Sequence, residues 1–189
     1  MALAMSRTAR LARPNQELVD NSVHLLYGIQ MFAGTARLIS AAPNSPDDLA
    51  EDERIQVLAL LESQLTHSRA LMRFLYPTSG AWETDILAAD YLEGARSLPP
   101  PWPTFSEDLK QIDRELAHLS YERSTGVVTW AFGSALTASL RAFVESVPEG
   151  RVLPEFKIRA WTALANQSSR ARLTVAPRKA DSPDEQGNR

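Results

Sequence analysis

Apolar positions recur along the chain at helical spacing, and prolines punctuate the segments that carry them. Pro14 opens the first segment where a missing N–H costs nothing, and Leu18, Leu25, Ile29, Phe32, Ala36 and Ile39 fall along one face, which predicts a helix over 15–41. The stretch A-A-P-N-S-P-D-D breaks it. Asp47, Asp48, Glu51, Asp52 and Glu53 then stand where the positive end of a helix favours carboxylates. This cluster reads as the start of a second helix, about 48–76, rather than as a metal site. Its predicted buried stripe is Ile55, Leu58, Leu61, Leu65, Met72 and Leu75, and Tyr76-Pro77 ends it. A short helix closed by Gly94 follows.

The run L-P-P-P-W-P-T-F cannot be helical, because its prolines enforce an extended path around Trp102. It reads as a stiff side connector whose Trp102 and Phe105 pack on the rest, or alternatively as a ligand for a proline-binding module. A third long helix begins near Ser106, with Leu109, Ile112, Leu116 and Leu119 inward. A fourth spans about 125–147; its β-branched residues raise the chance of strand, but its length and alanines favour a buried helix ended by Pro148 and Gly150. A fifth, about 154–172, turns Phe156, Trp161 and Leu164 inward and leaves Arg159, Arg170 and Arg172 exposed. Long helices joined by short connections predict an all-α fold: an up-and-down antiparallel bundle of about five helices with a proline-rich side loop.

Composition bounds what this bundle can do. The 189 residues, 44% hydrophobic, suffice for one sizeable core. No cysteine is present, which removes disulfides, thiolate metal sites and thiol nucleophiles. No apolar run approaches the roughly 18 residues that span a bilayer, so the chain reads as soluble and cytoplasmic, without membrane partners. The formal charge of -3 is uneven: residues 1–13 carry only Arg7, Arg10 and Arg13, residues 174–189 balance, and residues 14–173 are therefore acidic. The expected organisation is a disordered basic leader (1–13), a helical domain (14–173) and a disordered polar tail (174–189). Without a global positive field, nucleic-acid binding would need a local patch.

Three histidines, His24, His67 and His118, fall one on each of the first three long helices. A bundle metal site is disfavoured: Glu115 and His118 form one Glu-x-x-His pair where a di-iron bundle needs two, and each histidine lies off its helix's apolar stripe. No metal or other cofactor is expected. A second constellation is Arg114, His118 and Tyr121, which project from one face of the third long helix. His118 could exchange a proton with an RNA hydroxyl while a guanidinium holds the phosphate. The same face also reads as a solvated, ion-paired surface formed by Arg114, Glu115, Glu122 and Arg123. Arg69 lies close to the apolar stripe of the second helix and needs a partner, either Asp113 or Glu115, or a phosphate.

The segments H-S-R-A-L-M-R-F-L-Y-P (67–77), D-I-L-A-A-D-Y-L (85–92) and I-D-R-E-L-A-H-L-S-Y-E-R (112–123) resemble uncharacterised bacterial helical proteins similar to HEPN domains, particularly those of abortive-infection systems. The resemblance covers roughly residues 50–147. It implies an all-helical bundle, a homodimer, and metal-independent ribonuclease or RNA-binding activity in a defence or toxin system. The resemblance carries over His118 as the catalytic residue, with Arg69 and Arg123 on phosphate, and the reading of the helix face adds Arg114 and Tyr121 to His118 as catalytic partners. The alternative it leaves open is a non-catalytic interaction or dimerisation protein with another protein as partner. Two departures bear on this: only Glu115, Leu116 and Ala117 separate Arg114 from His118, one residue short of the spacing typical of HEPN ribonucleases, and Arg69 is followed by Ala70 rather than Asn.

Overall fold

The structure, a computed structural model, describes residues 12–41, 49–78, 84–92, 98–117 and 132–166. They form α1 (Asn15–Ala41), α2 (Glu51–Leu75), the single-turn α3 (Ala88–Tyr91), α4 (Phe105–Ala117), α5 (Gly133–Ser146), a 3-10 turn (Glu149–Arg151) and α6 (Phe156–Ala165). Among the described residues there is no strand, and the chain is an all-α bundle of five longer helices with a proline-rich side loop. No helix among them is long and apolar enough to cross a membrane.

Local chemistry explains the boundaries. Glu51, Asp52 and Glu53 fill the first turn of α2, and the Glu53 carboxylate accepts the Ala50 backbone N–H at 3.3 Å. Asp90 does the same for Leu87 at 2.8 Å, which stabilises the single turn of α3. At the other end of α2, Tyr76 donates its N–H to the Met72 carbonyl, and Pro77 prevents continuation.

Helices α1 and α2 form an antiparallel pair, since Thr35 meets Gln64, Tyr27 meets His67, and Ile39 packs with Val57. Thr35 and Gln64 hydrogen-bond side chain to side chain in the buried seam. The main core combines Leu18, Leu26, Ile29 and Phe32 of α1 with Leu65, Met72 and Leu75 of α2, Ile112 of α4, Leu136, Leu140 and Phe143 of α5, and Phe156 and Leu164 of α6. Phe74, Tyr91 and Phe143 meet edge to face, with centroids 5.1–5.9 Å apart. The Tyr91 hydroxyl, buried, donates to the Leu18 carbonyl at 3.0 Å and so ties α3 to the start of α1.

α6 returns along α1: the Leu153 N–H donates to Ser22 Oγ at 3.0 Å, while Arg37 and Asn166 line one groove farther along. The two helices therefore run in the same direction, as the first and fifth members of an alternating bundle must. Arg141 of α5 spans this layer, donating to the Leu164 carbonyl at 2.9 Å and lying 5.7 Å from the Trp161 ring centroid.

One expected face is displaced. Ile55 and Leu58 are exposed, not buried, and Val57 and Gln64 turn inward instead, while Leu65, Met72 and Leu75 are buried as the spacing predicts. The inward stripe of α2 is set by where α1 lies, and at this end the partner is Ile39, which reaches Val57. Leu25 of α1 is likewise only half-buried, with Leu26 taking the core position.

The connector around Trp102 packs as a strap on the end of α2. Tyr76 stands T-shaped against Trp102 and Phe105, and its hydroxyl lies 3.0 Å from both the Pro99 carbonyl and Ser139 Oγ. Trp102 donates its indole N–H to Asp108 at 2.7 Å, which fixes the strap to the first turn of α4. The readings for residues 1–11 and 174–189 lie outside the described residues.

Candidate functional site

Helix α2 presents Arg69 and Arg73 one turn apart, so both side chains project from the same face. That face is packed against α4, which runs antiparallel to α2: Arg69 and Arg73 meet Asp113, and Tyr76 meets Phe105. Asp113 follows the fully buried Ile112 and precedes the exposed Arg114, so it sits at the rim of the interface.

Asp113 gathers both guanidinium groups. Arg73 donates to Oδ2 at 3.1 Å and to Oδ1 at 3.4 Å. Arg69 Nε lies 2.5 Å from Oδ1, close in distance but off the N–H direction, so this contact is an ion pair without a hydrogen bond. The three side chains are 36–44% exposed, which gives the cluster the screened energetics of a surface network rather than those of a buried charge. Two arginines to one carboxylate leave a net positive charge, and Arg114 adds a third cation one residue on. Glu115 is engaged in an interaction of its own.

Of the residues singled out from sequence, the structure brings together Arg69 and the α4 turn that leads to Arg114; the partner of Arg69 is Asp113, the first of the structural alternatives. His118, Tyr121 and Arg123 lie outside the described residues. Sequence reasoning missed Arg73, although its spacing of four from Arg69 is the signal that would have found it. The other histidines are not gathered here. His24 is exposed on α1. His67 is half-buried, its ring 5.5 Å from that of Tyr27, and burial holds its imidazole below the ordinary range. Among the described residues no group of three or more His, Asp or Glu side chains is arranged to hold a metal ion.

Chemically, the cluster offers planar, permanently charged donors on a solvent-facing ridge between two helices. This suits a phosphodiester, provided that the phosphate competes with Asp113. No protein-family model, curated protein or solved structure matches the chain.

Proposed function

We propose that this chain is a HEPN-like helical protein that acts on RNA in a cytoplasmic defence or toxin system, as a homodimer and without a metal. The observation that carries the reading is the convergence of Arg69 and Arg73 on Asp113, five residues before His118 in the sequence, with Arg114 exposed beside it. A phosphodiester drawn to this ridge would meet guanidinium groups that neutralise its charge. His118 would transfer the proton of the attacking or leaving hydroxyl, Arg114 would hold the phosphate with Arg69 and Arg123, and Tyr121 would orient it. The A-H-L-S-Y-E-R run supplies the resemblance behind these roles.

The test is incubation of the purified protein with total RNA in the presence of a chelator, beside His118→Ala. Cleavage by the parent chain that is lost in the variant, with the helical spectrum and unfolding midpoint kept, supports the catalytic reading. RNA left intact and unbound by both removes it.

A second reading, a non-catalytic interaction or dimerisation protein, is favoured by the way Asp113 already pairs both arginines and by the exposed Leu38, Ile55 and Leu58 of the α1–α2 pair. Under it, His118→Ala alters neither RNA integrity nor RNA binding, and Ile55→Glu changes the oligomeric state seen by light scattering.

A further inference from the structure

The second positive feature of this acidic chain is a groove between α1 and α6. It encloses about 330 Å³, within the range of small-ligand sites. Its lining includes three small residues, Ala33, Gly34 and Ala163, which leave space between the two helices. A Cβ on Gly34 would have nothing within 4 Å, so the void reaches the helix backbone itself.

The rim has a consistent chemistry. Arg37 from α1 and Arg159 from α6 contribute guanidinium groups from the two sides, and Gln30, Thr162 and Asn166 add amide and hydroxyl groups. Among the described residues no carboxylate lines the groove. Arg37 has no ion-pair partner among the described residues, and the Glu155 contact to Arg159 is long, at 3.7 Å, between half-exposed side chains. The carbonyls of the last turn of α6, which would otherwise repel an anion, are partly occupied: that of Thr162 accepts the Asn166 N–H and that of Leu164 accepts from Arg141.

We propose that the α1–α6 groove binds a small phosphate monoester, with Arg37 and Arg159 on the phosphate and the organic part over Gly34 beside the amides of Gln30 and Asn166. Guanidinium donors match phosphate oxygens in pairs, and among the described residues the one acid beside them, Glu155, makes only the long 3.7 Å contact to Arg159. The groove takes no residue from α2 or α4, so this inference stands or falls separately from the RNA reading.

Calorimetric titration of the full chain at low salt, with AMP, inorganic phosphate and adenosine as probes, tests it. The expected result is saturable one-to-one binding of AMP, weaker binding of inorganic phosphate, none of adenosine, and loss of affinity as salt is raised. Arg37→Gln and Arg159→Gln should each weaken AMP by about tenfold, the loss of one charge-assisted contact. Gly34→Leu should abolish binding with the unfolding midpoint retained, since the new side chain enters open space. Absence of AMP binding, equal binding of adenosine, or unchanged affinity in both arginine variants would overturn the proposal.

Discussion

Replacing Asp113 by Asn separates a phosphate-facing role of the α2–α4 arginines from a purely structural one. The substitution keeps the shape and one oxygen acceptor but removes the only acid that Arg69 and Arg73 meet in the described structure. Its cost to stability follows from exposure: with all three side chains more than a third accessible, each ion pair contributes about 0.2–1 kcal/mol, so the loss is about 0.5–2 kcal/mol. For a chain of this length that lowers the melting temperature by about 2–4 °C per kcal/mol. Its effect on RNA has the opposite sign. Two guanidinium groups are released to phosphate and one repelling charge disappears, so affinity should rise. If both arginines reach a phosphate, the slope of log K against log salt for a single strand steepens by about 1.4, each contact adding about 0.7. Fluorescence anisotropy with a labelled single-stranded RNA between about 50 and 200 mM salt reads both quantities. A variant that melts earlier but binds RNA with unchanged affinity and slope would refute the phosphate role of Arg69 and leave the cluster as a clamp between α2 and α4.

Two further outcomes follow from the packing. Tyr91→Phe removes the hydrogen bond to Leu18 while leaving the ring against Phe74 and Phe143, so urea unfolding should record a loss of about 0.5–1.5 kcal/mol, and a neutral result would place the hydroxyl in solvent instead. The same phenol, buried and near Asp90 and Glu17, is held far above the ordinary tyrosine range and should resist spectroscopic titration until the fold opens. For His67, burial favours the neutral ring in the fold, so the unfolded chain takes up a proton first and stability declines as pH falls through its ordinary 6.5. His67→Gln should flatten the unfolding midpoint across that interval; an unchanged pH profile would assign the decline to other groups.

The helices themselves were legible because their limits are chemical. Pro14 and the break after Ala41 bound α1 as the apolar spacing predicts, and Pro77 fixes the end of α2. The aromatic strap could also be read, since the prolines around Trp102 exclude helix and leave its rings to pack. The phase of α2 could not be read over its first turns. Ile55, Val57 and Leu58 are all apolar, and which of them faces inward depends on where Ile39 of another helix lies. The site was legible in residue type but not in pairing: Arg69 was marked as needing a partner, yet the choice of Asp113, and the enrolment of Arg73, depend on the crossing of α2 and α4. The α1–α6 groove was invisible for the same reason, because Arg37 and Arg159 are brought together only by the return of the last described helix.

The buried bond between Thr35 and Gln64 has a consequence for the uniqueness of the fold. A seam made solely of aliphatic groups can slide by a turn at modest cost, because one leucine replaces another in each gap. The buried Gln64 amide meets the Thr35 hydroxyl across the seam in the present alignment of α1 with α2 and would lose that partner in the neighbouring ones, whereas Thr35 keeps the Met31 carbonyl of its own helix in all of them. This pair thereby acts as a register key for the hairpin, and the positions of Arg37 at one flank and Arg69 at the other inherit their placement from it.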